Sequence, residues 1–111
     1  LKGTLDPVKH IFPRLASVKE LVLAHHRGLV GELPSEIGDM RALKRLDVSY
    51  CNFTGGVPDS WEKLQLQHIQ LNGNPLTEPI PQWLLTKRTL SHAAQQRLHK
   101  VNEQLGVKTE E

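Results

Sequence analysis

Ser49, His25 and Asp47 are of the types that could serve as nucleophile, base and orienting carboxylate, and all three fall in short aliphatic segments of this 111-residue chain. Hydrolytic chemistry would need them in one hydrogen-bonded chain, beside oxyanion donors and inside a pocket. Cys51 and His26 invite a different reading, as a thiol nucleophile with its base or as the beginning of a zinc site. Two ligands fall short of the three or four protein ligands that zinc takes. Asn52-Phe53-Thr54 is an N-glycosylation sequon, usable in a chain that passes through a secretory route. What these residues can do depends on the elements that carry them.

The length suits one domain. Lys and Arg number 14 against 12 Asp and Glu, so the formal charge is +2, far from the strongly basic balance that announces nucleic-acid binding. The longest uninterrupted aliphatic stretch is Leu21–Ala24, well short of the ~20 apolar residues that cross a bilayer. No membrane insertion is expected, and no signal segment opens the chain. Leu1 is not a translation start, so the chain is expected to be a processed product or a piece of something longer. A single cysteine cannot form an intramolecular disulfide, which favours a reducing, cytoplasmic setting. Leucine, with 18 occurrences against five aromatic residues, dominates the composition.

That bias is periodic. The chain reads VKELVLAHH from Val18, LKRLDVSYC from Leu43 and LQHIQLNGN from Leu66, with Leu23, Val48 and Leu71 matched. The repeat is about 24 residues, with an insertion near Arg27–Gly28 and a deletion near Gln65. The second half of each unit repeats as well: Leu29-Val-Gly-Glu-Leu-Pro34, Phe53-Thr-Gly-Gly-Val-Pro58 and Leu76-Thr-Glu-Pro-Ile-Pro81, each followed three positions later by Ile37, Trp61 or Leu84. Leu1–Leu5 looks like the same turn without the strand that should precede it.

Leu21 and Leu23, Leu46 and Val48, and Ile69 and Leu71 alternate at period two, so each pair shares one face of a short strand. One unit cannot bury that face alone. Stacking units in parallel makes a continuous apolar spine and gives each inner strand two hydrogen-bonded neighbours. Pro34, Pro58 and Pro81 lack a donor and fix φ, which suits an extended convex segment. Leu90, Ala94, Leu98, Val101 and Leu105 recur at spacings of three or four, with Ser91 as N-cap and Gly106 as C′ residue of an amphipathic helix. A solenoid needs a terminal cap with a polar outer face, and this helix is expected to cover the open end. Residues 1–84 hold nine basic and nine acidic groups and residues 85–111 five and three, so the net positive charge belongs to the cap.

These units resemble the leucine-rich-repeat family in its plant-type subclass, whose consensus is LxxLxLxxNxLxGxIPxxLxxLxxL, over roughly residues 1 to 84. The resemblance implies an α/β solenoid with a short parallel sheet on its concave face and a turn-rich or irregular convex side. The units fall at 1–17 (partial), 18–42, 43–65 and 66–84, with 85–111 as helical cap and tail. It also implies an inward-turned ladder residue, here His26, Cys51 and Asn74, that satisfies backbone groups as the chain leaves the strand. The departures are the non-Asn ladder residues, the glycine replaced at Glu78-Pro79, Trp61 in place of a leucine, and the missing paired cysteine caps.

Binding in this family generally uses the outward strand positions. Here these are Glu20, Val22 and His25 from the first unit, Arg45, Asp47, Ser49 and Tyr50 from the second, and His68, Gln70 and Asn72 from the third. Tyr and Arg are over-represented among interface hot spots. Side chains held on strands about 4.8 Å apart lose little freedom on binding. On so shallow a surface His25, Asp47 and Ser49 have no pocket, so neither catalysis nor a cofactor is expected, and no metal at Cys51 and His26. The expected role is non-catalytic recognition of a protein partner. Alternatives are an ectodomain fragment of a cell-surface receptor or surface antigen, in which Asn52 could carry a glycan, and an architectural subunit of a larger assembly. Leu1, Leu5, Ile11, Phe12 and Leu15 are expected to form an apolar N-terminal edge covered by further repeats or another chain.

Overall fold

A computed structural model describes residue 3 and residues 5–105 of the chain. Five short strands lie in two parallel sheets. β1 (Glu20–Val22), β3 (Arg45–Asp47) and β5 (His68–Gln70) form one, in the order β1-β3-β5, and β2 (Val30–Glu32) pairs with β4 (Asn52–Thr54) in the other. Two α-helices follow, α1 (Gln82–Leu85) and α2 (His92–Gln104). Leu21, Leu46 and Ile69 stand directly across from one another. The backbone ladder runs on past the strands, from Leu23 N–H to Asp47 C=O at 2.7 Å and from Val48 N–H to Gln70 C=O at 3.1 Å. The matched aliphatics therefore sit one beneath the next in a single core, as the period-two alternation requires.

Position in the stack decides how deeply each is covered. Leu46, Val48, Ile69 and Leu71 are buried, whereas Leu21 and Leu23 remain half-buried because β1 has a paired neighbour on one side only. The same asymmetry corrects the expectation for His26. Cys51 and Asn74 are turned inward and donate to carbonyls of the preceding unit, Leu23 and Val48, but His26 is exposed, and among the described residues no strand precedes β1.

The convex side is more regular than expected. Each of Pro34, Pro58 and Pro81 is extended (ψ 128°, 140° and 150°) and launches a short helical turn: the 3₁₀ segments Ser35–Asp39 and Asp59–Lys63, and α1. Proline suits a helix start, where a backbone N–H has no intrahelical partner to lose. Ile37, Trp61 and Leu84, three residues after these prolines, are fully buried. The 3₁₀ segment Asp6–Arg14 belongs to the same stack and packs against Ser35–Asp39. Leu5 and Phe12 are accordingly in the core rather than on an open apolar edge, while Ile11 is exposed and Leu15 half-buried. Leu1 lies outside the described residues. The paired strands β2 and β4 are staggered. Leu29 and Phe53 are equivalent by repeat, yet Phe53 is paired with Gly31.

The last open end is closed by α2. Ser91 accepts the Ala94 N–H at 3.2 Å as N-cap, and Ala94, Leu98 and Val101 are buried on the face that meets β5. Gly106 lies outside the described residues. Asn102, also buried, accepts the Ile80 N–H through Oδ1 at 2.7 Å.

Candidate functional site

The strand register arranges the outward side chains in rows. Glu20, Arg45 and His68 form one row, and Val22, Asp47 and Gln70 the next. The rows continue into the turns through His25 N–H to Ser49 C=O (2.9 Å) and Tyr50 N–H to Asn72 C=O (2.9 Å). Glu20, Val22, His25, Arg45, Tyr50 and His68 are exposed, and Asp47, Gln70 and Asn72 half-buried. Val22 at 54% and Tyr50 at 39% exposure put apolar surface among the polar groups. Arg45 Nε lies 3.8 Å from Glu20 Oε2, an open ion pair that adds little to stability.

Ser49 does not belong to this exposed set. Only 2% of it is accessible, because its Oγ donates to Asp47 Oδ1 at 2.6 Å while its N–H donates to the same oxygen at 3.0 Å. The carboxylate two residues back draws the short hydroxyl into a local turn, a competition that Ser commonly enters. His25 is elsewhere, stacked on Tyr50 with ring centroids 4.9 Å apart and planes 10° from parallel. The three residue types suited to hydrolysis are thus divided between two local structures. Cys51 and His26 are likewise separated by burial. Cys51 Sγ donates to Leu23 C=O at 3.0 Å inside the solenoid, and His26 faces outward.

The strand ends carry an arrangement that sequence reading missed in part. His25, Tyr50 and Gly73 occupy the same position in successive repeats, and all three have left-handed backbone, with φ of 66°, 56° and 79°. Two of them pay for a conformation natural to glycine. The third, Gly73, leaves room that the Tyr50 ring fills. Arg27, from the insertion, lies across these ends: its Nη1 donates to Cys51 C=O at 3.1 Å and Gly73 C=O at 2.9 Å, and its guanidinium carbon is 5.6 Å from the Tyr50 ring centroid. The extra residues at Arg27–Gly28 were the signal, since an insertion beside a regular ladder marks a place where something other than the ladder is being built.

The ladder differs from unit to unit. Asn74 donates through Nδ2 to Val48 C=O and Leu71 C=O, both at 2.9 Å, and accepts the Phe53 N–H at 3.1 Å. Cys51 makes weaker sulfur contacts, to Leu23 C=O and, at 3.7 Å, to Ser49 C=O. Asn52, half-buried in β4, donates Nδ2 to Arg27 C=O, and Thr54 Oγ1 lies 3.4 Å from Gly31 C=O. The two polar residues of the sequon thus bridge to the preceding repeat.

At the far end of the concave face, Gln70 and Asn72 meet Arg97, Lys100, Val101 and Gln104 of α2 around a recess of about 230 Å³. On the convex side a larger recess, about 550 Å³, is bordered by the carboxylates of Glu32, Glu36, Asp59 and Glu78. No described helix is long and apolar enough to cross a membrane.

Comparison with known proteins agrees with this geometry. The family model described as Leucine Rich Repeat matches residues 42–64 and 65–86, the two units that open with β3 and β5. An Arabidopsis thaliana protein named "Probable LRR receptor-like serine/threonine-protein kinase" is 35% identical over 91 residues, covering 79% of this chain but 8% of the relative. The chain thus spans a small part of that protein's length, within which the match is confined. Parallel strands in register, inward aliphatics at each turn of the stack, a helical C-terminal cover and these matches together make the chain a member of the leucine-rich-repeat family.

Proposed function

We propose that this chain is a non-catalytic recognition module that holds a protein partner against the concave strand face. Repeats of this family generally mediate protein–protein interaction. The observation that carries the reading here is the row register, which holds Glu20, Arg45 and His68 side by side with Val22, His25 and Tyr50 exposed next to them. The hydrogen-bonded strands fix the backbone that carries these side chains, so the ordering cost of binding falls on the side chains alone. It also combines an aromatic, an arginine and an aliphatic, the kinds of group that anchor interfaces.

A second reading, that the repeats form the ligand-binding part of a receptor-like kinase at the cell surface, is favoured by the Arabidopsis relative. The single cysteine favours the cytoplasmic alternative, and the sequon at Asn52 favours the surface. A glycosidase-sensitive mass increase, abolished by Asn52→Gln, supports the surface reading. An unmodified chain recovered from its native source counts against it.

The test of partner recognition is capture on the immobilised chain from an extract of its source, repeated with Arg45→Ala, Tyr50→Ala and, as a convex-side control, Lys63→Ala. Loss of the same partner from the first two variants and its retention by the third is expected. Retention by all concave variants, with loss on altering α2, would instead favour the architectural role.

A further inference from the structure

We propose that the recess between β5 and α2 receives an acidic side chain of an extended polypeptide lying along the concave face. Arg97, Lys100 and Gln104 stand at intervals of three and four on α2, so one helix face turns two cations and an amide toward Gln70 and Asn72. Among the described residues Arg97 and Lys100 have no ion pair, and the side-chain amides of Gln70, Asn72 and Gln104 have no hydrogen-bond partner. Every polar group around the recess can donate, and no carboxylate borders it.

Size and charge narrow the occupant. About 230 Å³ is below the ~300–1,000 Å³ of pockets that enclose drug-sized ligands, yet it is ample for one carboxylate side chain. Charge-assisted hydrogen bonds from a guanidinium and an ammonium are roughly twice as strong as neutral ones. Elsewhere on the face the charges are already engaged, Glu20 beside Arg45 and Asp47 with Ser49, so the free cations lie at this end. The larger convex recess, with its four carboxylates, would repel the same peptide. Gln70 and Asn72 belong both to the concave rows and to the recess, so a chain crossing the strands reaches it without turning.

The inference rests on the concave-face reading for the peptide's route, and the test separates the two. The 15N-labelled full chain is titrated with the capped peptide Gly-Ser-Glu-Glu-Ser-Gly, with its Gln-Gln counterpart and with inorganic phosphate at constant ionic strength. The acidic peptide is expected to shift the side-chain amide signals of Gln70, Asn72 and Gln104 and the backbone signals of residues 97–104. Arg97→Gln and Lys100→Gln, which replace one good helix former with another, are each expected to weaken binding about tenfold, or ~1.4 kcal/mol, with unchanged thermal unfolding.

Equal binding of the Gln-Gln peptide, indifference to both substitutions, or a response to phosphate without one to the acidic peptide would overturn the proposal. Shifts at the recess that do not extend to Tyr50 and His68 would support the acidic site while counting against the concave route.

Discussion

The Tyr50 ring occupies the space that a side chain at position 73 would need: a Cβ built on Gly73 would sit 2.5 Å from Tyr50 Cδ1 and 3.0 Å from Tyr50 Cα. Gly73 also has φ of 79°, a left-handed backbone that costs other residues about 1–2 kcal/mol. Gly73→Ala should therefore destabilise the fold by roughly 2–3 kcal/mol, the left-handed cost plus the clash. Tyr50→Gly loses a ring stack of about 0.5–1.5 kcal/mol but relieves left-handed strain of similar size, so it should be close to neutral. In the double variant the cost of Gly73→Ala should fall by about 1 kcal/mol, a coupling that denaturant unfolding of all four proteins would measure. Additive effects would mean the ring can move aside freely.

Asn74 and Cys51 fill the same ladder position with unequal hydrogen-bonding capacity. Asn74→Ala leaves the Phe53 N–H and the Val48 and Leu71 carbonyls without their partner, and an unsatisfied buried group costs about 1–3 kcal/mol. Because water reaches part of this half-buried site, a loss of roughly 3 kcal/mol in total is expected. Cys51→Asn should be neutral or stabilising by up to about 1 kcal/mol, since an amide can donate to Leu23 C=O where the thiol now does weakly. Thermal unfolding reads both. A Cys51→Asn protein clearly less stable than the parent would show that this site is shaped for sulfur.

The bond from Ile80 N–H to Asn102 Oδ1 closes the last repeat from within the cap helix. In Asn102→Leu the donor is left buried and unpaired, which should cost about 1–3 kcal/mol even though the site stays apolar. Amide hydrogen exchange is the direct measurement: Ile80 should lose protection before its neighbours do. Unchanged exchange at Ile80 would remove Asn102 from the capping role.

Trp61, fully buried, donates Nε1–H to Pro34 C=O at 3.0 Å and so ties one convex turn to the one before it. Trp61→Leu restores the residue type usual in this family but removes ring volume and the bond together. A loss of about 2–4 kcal/mol is expected from cavity formation, and Trp61→Phe should recover part of it. Guanidinium unfolding followed by far-UV circular dichroism distinguishes them.

The spacing of the aliphatics was enough to establish the stack. Leu21 and Leu23, Leu46 and Val48, and Ile69 and Leu71 can be buried together only if the units lie in parallel, so architecture, core rows and the need for a cap all followed from local pattern. Ser91 at the start of α2 was legible for the same reason, because a cap bonds within its own turn. The tertiary structure decided whatever depended on a neighbour. His26 faces outward where no described strand precedes β1, whereas the equivalent Cys51 and Asn74 donate to carbonyls of the preceding unit. Ser49 left the exposed strand face because the Asp47 carboxylate captured its hydroxyl, a choice between local and solvent partners that spacing does not settle. Asn102 and Ile80 are 22 residues apart, and Arg97 and Lys100 face Gln70 and Asn72 across the fold. A hydrogen bond or a charged recess between such distant groups exists only once packing has set the helix against the sheet, since its free energy falls away over a few ångströms while the sequence records only order along the chain.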